Sequence, residues 1–132
     1  LMCGGIHVAR PPWSRTSPSQ GGAPFFARLR YFDPARRRAG IPENVAALVS
    51  KLTDTTVTVT LVNLDTANPC EVTVQAGGYA EHEFTDVEFA GRQLPLRGAA
   101  ITVALAAGAG DTLTLHMRRH VNPPTLDAPW ER

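Results

Sequence analysis

At 132 residues, 43% hydrophobic and 19% charged, the chain is long enough for one domain with its own apolar core and too apolar for a disordered body. A formal net charge of +1 gives no electrostatic drive toward nucleic acid, and no segment approaches the ~20 apolar residues that span a bilayer. Eleven glycines and eleven prolines interrupt the chain too often for long helices and suit short strands joined by turns.

Residues 1–24 carry Pro11, Pro12, Pro18 and Pro24 with Gly4, Gly5, Gly21 and Gly22, which no period of 2 or 3.6 survives. They read as an irregular arm in which Ile6, Val8 and Trp13 need cover from their own domain or from a partner. The opening Leu1-Met2-Cys3-Gly4-Gly5 lacks the basic and apolar regions of a signal peptide. Spacing leaves open whether Cys3 and Cys70 are bridged.

Phe25 to Phe32 is a strand, with Arg28 and Arg30 on one face and Leu29 and Tyr31 on the other. Asp33-Pro34 then predicts an N-cap and a single helical turn that carries Arg36, Arg37 and Arg38 and ends at Gly40. Twelve of the thirteen basic residues are arginine, whose planar fork suits bidentate contacts to a partner, although base composition explains the bias equally well.

Pro42 to Leu52 is ambiguous. Val45, Leu48, Val49 and Leu52 follow the spacing of an amphipathic helix, whereas the run into Thr53-Asp54 looks like the first arm of a hairpin. The strand is slightly favoured. Thr55 to Leu64 is the clearest element, with Val57, Val59 and Leu61 on one face and Thr56, Thr58 and Thr60 on the other. Valine and threonine are β-branched, so propensity agrees with pattern.

Glu71 to Gln75 repeats this alternation with Val72 and Val74 inward, and Ala76-Gly77-Gly78 is a turn. Tyr79 to Phe89 is strand-like but changes face between Phe84 and Val87, which predicts a bulge near Thr85 and Asp86. Pro95 demotes Gln93 to Leu96 to an edge strand or loop. Ile101, Val103 and Leu105 form one inward row and Leu113, Leu115 and Met117 the last. From Asn122 on, Pro123, Pro124 and Pro129 exclude regular structure, and Trp130 anchors the tail on a surface.

These elements predict an all-β, immunoglobulin-like antiparallel β-sandwich of about seven or eight short strands, spanning residues 25–121 between an arm (1–24) and a Pro-rich tail (122–132). The runs Thr56-Val57-Thr58-Val59-Thr60-Leu61-Val62-Asn63, Glu71-Val72-Thr73-Val74-Gln75 and Leu105 to Leu115 resemble C-terminal immunoglobulin-like modules of bacterial multidomain carbohydrate-active enzymes. The resemblance covers roughly residues 45–118. It implies a non-catalytic accessory module, in a secreted or cell-surface setting if it belongs to such a parent enzyme, and it carries over no functional residue.

No phosphate-cradling glycine loop, paired-cysteine zinc spacing or Gly-x-Ser-x-Gly elbow occurs, so neither a cofactor nor a catalytic residue is expected. Glu81, His82 and Glu83 form the best polar cluster, with the two carboxylates on one strand face ~7 Å apart. A calcium ion wants six to eight oxygens, so a solvated face is the better reading. His116 and His120 beside Arg118 and Arg119 suggest a basic, pH-sensitive end. Cys70 reads as a small buried hydrophobe.

The expected function is docking on another domain or chain, self-assembly included. Trp13, Arg28, Arg30, Arg36, Arg37, Arg38 and Trp130 are the contact residues, with help from open strand edges. The alternative is a carbohydrate-binding module that stacks sugar rings on Trp13, Tyr31, Tyr79 or Trp130.

Overall fold

The computed structural model describes residues 27–132. Nine antiparallel strands form two sheets, and no described residue is helical. The strands are β1 (Leu29–Asp33), β2 (Arg38–Ala39), β3 (Val45–Leu52), β4 (Thr56–Asn63), β5 (Cys70–Ala76), β6 (Glu83–Phe89), β7 (Arg92–Gly98), β8 (Ala100–Leu105) and β9 (Gly110–Arg118). One sheet has the order β2-β1-β5-β8 and the other β3-β4-β9-β6-β7. The protein is a β-sandwich, with β2 a two-residue addition to the expected strands.

A single core lies between the sheets. Leu29, Tyr31, Val72, Val74, Ala76 and Leu105 of the four-stranded sheet meet Val45, Val57, Val59, Leu61, Phe84, Val87, Leu113, Leu115 and Met117 of the five-stranded sheet. Every inward row read from alternation is in this set or packs on it. Each fully buried Val or Leu contributes ~1.5 to 3 kcal/mol before chain entropy is subtracted.

The ambiguous segment is strand β3. Its helical spacing is coincidental: Leu48 and Leu52 are 63% and 56% exposed, while Val45, Ala47 and Val49 face the core. Pairing with β4, whose own alternation tolerates no slip, decides the conformation. The bulge in β6 falls between Phe84 and Asp86, which returns Val87 to the core beside Phe84. β7 is an edge strand and contains Pro95.

Two expectations are corrected. Asp33 does cap the following residues, its Oδ1 accepting the Arg36 N–H at 3.1 Å, but no helical turn is built. Arg37 adopts φ 49° and Gly40 φ 108°, and the Gly40 N–H donates to the Tyr31 carbonyl at 2.9 Å, so the chain folds back as a hairpin into β2. The other correction concerns Tyr79 to His82, which precede β6 rather than lying in it; Glu81 and Glu83 therefore do not share a strand face.

Asn63 ties together two of the crossovers between sheets, β4–β5 and β8–β9. Fully buried at the end of β4, its Nδ2 donates to the carbonyls of Asn68 (2.8 Å) and Ala106 (3.2 Å), and its Oδ1 accepts from the Asp65 N–H at 3.0 Å. A buried amide with its partners satisfied pins both loops to one another.

Candidate docking surfaces

The two sheets treat their outer faces differently. On the four-stranded sheet, Phe32, Thr73 and Gln75 point away from the core yet are only 2%, 4% and 1% exposed. The C-terminal tail covers Phe32 and Gln75. Trp130 sets its ring edge-to-face with Phe32 at 5.8 Å, and the guanidiniums of Arg30 and Arg37 lie over Phe32 and Trp130 at 4.9 and 5.6 Å. Arg132 Nη2 donates to Gln75 Oε1 at 2.6 Å, and Gln75 Nε2 donates to the Gly77 carbonyl at 3.0 Å. Burial pulls the Arg132 guanidinium below its ordinary value. A cavity of about 380 Å³ remains beneath the tail between Ala99, Pro123, Pro129 and Arg132.

The tail is rooted beside His82. The His120 N–H donates to His82 Nδ1 at 3.0 Å, the Val121 N–H to the Glu81 carbonyl at 3.0 Å, and Asn122 Nδ2 to the carbonyls of Ala80 and His82, both at 3.2 Å. His120 has φ 55° and Ala80 φ 57°, a left-handed conformation uncommon for these residues that turns the chain here. His82 is buried, and that burial holds its imidazole below the usual histidine range; His120 and Arg119 push the same way while Glu81 opposes them. The Glu81 carboxylate accepts the Tyr79 N–H at 2.8 Å and lies against Gly77, where a Cβ would come within 2.3 Å of Oε2. A groove of about 390 Å³ opens beside His82, with Leu29, Val49 and Leu52 on its apolar side and Arg28, Glu81 and His120 on its polar side.

The remaining predicted contact residues are engaged within the domain. Arg36 Nη2 pairs with Glu43 at 3.1 Å, Arg38 Nε reaches Asp33 at 3.4 Å, and Arg28 donates to the Asp54 carbonyl. Arg30 also donates to the Gly78 carbonyl at 3.2 Å. Trp13 lies outside the described residues, as do Cys3 and the whole of the irregular arm. Cys70 is a free, partly buried thiol whose pKa is raised chiefly by burial. His116 and His120 do not form one basic end: His116 stands on the outer face of the five-stranded sheet, 3.8 Å from Asp86 and 4.0 Å from Glu88. Glu83 pairs with Arg118. Among the described residues no three His, Cys, Asp or Glu side chains are placed to share a metal ion, and no helix is long and apolar enough to cross a membrane.

Among the described residues nothing covers the flank where β7 and β8 meet. β7 and β8 close the two sheets on the same side, because the chain passes from one to the other through Ala99 alone. Leu94 is 48% exposed there, and Leu96, Ile101 and Val103 are only partly buried against the core. Sequence reasoning gave Ile101 and Val103 their inward facing but not their place on an edge strand, and so missed this flank. It also missed Gln75, Arg132 and His82 as a connected support for the tail.

No protein-family description, curated protein or solved structure matches the chain.

Proposed function

We propose that the chain is a non-catalytic β-sandwich module, immunoglobulin-like in its role as in the modules it resembles, that docks on another domain or chain through the β7–β8 flank. The observation that supports this reading is the row Leu94, Leu96, Ile101 and Val103, contributed by two adjoining strands and left partly uncovered at the rim of the core. Apolar side chains at such a rim gain burial when a partner covers them. The C-terminal arm is engaged on its own sheet, so docking through Trp130 would first require the tail to lift off Phe32.

A sugar-stacking role needs an aromatic plane that faces water. Tyr31 is buried, and Trp130 has Phe32 at its ring and Arg37 above it, so neither observation favours that reading.

The test is site-specific photo-cross-linking in the source cell. A benzophenone side chain at Leu94 is expected to capture a partner, while the same group at Thr58, on the open threonine face, is expected to capture none. Equal labelling from the two sites, or none from Leu94, would remove the flank as the docking surface.

A further inference from the structure

We propose that the free edge of β8 pairs with β8 of a second copy of this chain, antiparallel and centred on Thr102, so that the four-stranded sheet runs on across a two-fold axis. This rests on the reading of the flank as a docking surface and names its partner.

The hydrogen-bonding alternation of β8 is fixed by its inner neighbour. The Ala76 N–H donates to the Ala99 carbonyl at 2.7 Å, in the same register that places Val74 opposite Ile101, Val72 opposite Val103 and Cys70 opposite Leu105. In an antiparallel ladder only every second residue bonds to a given neighbour. The N–H and C=O groups of Ala100, Thr102 and Ala104 therefore point away from β5, and the described residues send no backbone hydrogen bond to them beyond the strand ladders. Such a row of donors and acceptors accepts a strand.

The other three edges carry features that discourage pairing. β2 is two residues long; β3 has a bulge between Val49 and Lys51 and a lysine at that point; β7 contains Pro95 between Arg92 and Arg97. Short edges, bulges, prolines and charges are the devices that keep sheet edges apart. β8, Ala-Ile-Thr-Val-Ala-Leu, has no charge, no proline and no bulge.

The occupant is a second copy because the edge is complementary to itself. With Thr102 on the axis, Ala100 faces Ala104 of the second copy, and each matched pair exchanges its outward N–H and C=O. Ile101 then stands opposite Val103 of the second copy at the close, non-bonded positions, where apolar β-branched pairs gain most. Both are partly buried residues that this pairing would cover. Outward side chains are Ala, Thr and Ala, too small to obstruct the approach, and no like charges meet. A second copy brought to β3 or β7 would bring lysine or arginine up to an edge of the same sign.

The experiment uses the full chain. Sedimentation from micromolar to near-millimolar concentration is expected to show a monomer–dimer equilibrium. In a Cys3→Ala, Cys70→Ala background, Thr102→Cys is expected to form an intermolecular disulfide under mild oxidation, since bonded antiparallel pairs hold their Cα atoms ~5.5 Å apart, within disulfide range. Thr60→Cys on the open face serves as the control and should not. Ala104→Pro removes one outward N–H without touching the β5 ladder, and should weaken dimerisation about tenfold with little change in melting temperature. A chain that stays monomeric throughout, with Thr102→Cys no more cross-linked than Thr60→Cys, overturns self-pairing whether or not Ala104→Pro folds. If the photo-adduct from Leu94 is then a different protein, self-pairing falls and the docking surface stands; if no adduct forms, both fall.

Discussion

The outer faces of β5 and β4 start from the same alternation and end in opposite environments. In β5, Thr73 and Gln75 alternate with inward valines and are almost fully buried; in β4, Thr58 and Thr60 alternate with inward valines and stay partly exposed. Alternation decides which residues face the partner sheet. What happens on the other side is decided by distant residues, here a tail whose Trp130 and Arg132 lie more than fifty positions along the chain from Gln75. The part of the four-stranded sheet around Phe32 and Gln75 is thus buried on both faces, whereas the threonine face of β4 stays partly exposed.

Removing the cover should therefore matter on one face only. Phe32→Ala takes away a ring that is 2% exposed, with Trp130 at its edge and Arg30 above it, and should destabilise by ~3 to 4 kcal/mol in a urea melt. A double-mutant cycle with Trp130→Ala should give a coupling of ~0.5 to 1.5 kcal/mol. Additive effects would mean that the ring contact does not hold the tail, and the contrast between the faces would lose its cause.

Gln75→Ala should cost less, ~1 to 3 kcal/mol, through unmet hydrogen bonds rather than lost volume. The Arg132 guanidinium would keep its partly buried place without the Gln75 oxygen, and the Gly77 carbonyl would lose its donor. Hydrogen exchange should show the loss first in the β5 and β8 amides, with β4 and β9 unchanged. Uniform loss across both sheets would contradict a local role for the tail.

The inward face was legible because period-2 alternation of valine, leucine and threonine leaves few alternatives, and even the β6 bulge could be located from the face change between Phe84 and Val87. β3 was harder. Its four-residue apolar spacing imitates a helix, and only pairing with β4 overrules it. Long-range contacts between short polar or aromatic stretches, such as Gln75 with Arg132 or His82 with His120, leave no periodic trace and could not be read. The flank was hidden for a related reason: alternation reports which face a residue is on, not how near the sheet's edge it lies.

Acid should act at the tail's root before it acts on the open face. Because burial depresses the His82 pKa, the unfolded chain takes up a proton that the folded chain refuses. Stability is complete above the unfolded pKa of about 6.5 and falls as the pH drops below it toward the folded value. A proton on Nδ1 would also remove the acceptor for the His120 N–H. His82→Asn, which can keep an acceptor near Nδ1, should flatten the stability profile between about pH 6.5 and 5 relative to the parent chain. An unchanged profile would show that His82 titrates in the folded chain as it does unfolded.

The smallest effect is expected on the open face, and it is the most direct check on the contrast. Thr60 and Thr112 share a hydroxyl hydrogen bond of 2.8 Å, as Thr58 and Thr114 do at 3.0 Å, across the β4–β9 pair. Water reaches the outermost of these pairs and can replace the missing partner, so Thr60→Val should change stability by no more than ~0.5 kcal/mol in either direction. On the covered face Thr73 makes the equivalent bond to Thr102 at 2.9 Å, but there Thr73 is nearly inaccessible. Thr102→Val should leave the nearly inaccessible Thr73 hydroxyl without this partner and with little recourse to solvent, and so cost more than Thr60→Val, measured side by side in urea. Equal costs would mean that the tail excludes less water than its contacts imply, and that the two outer faces differ in accessible area without differing in energy.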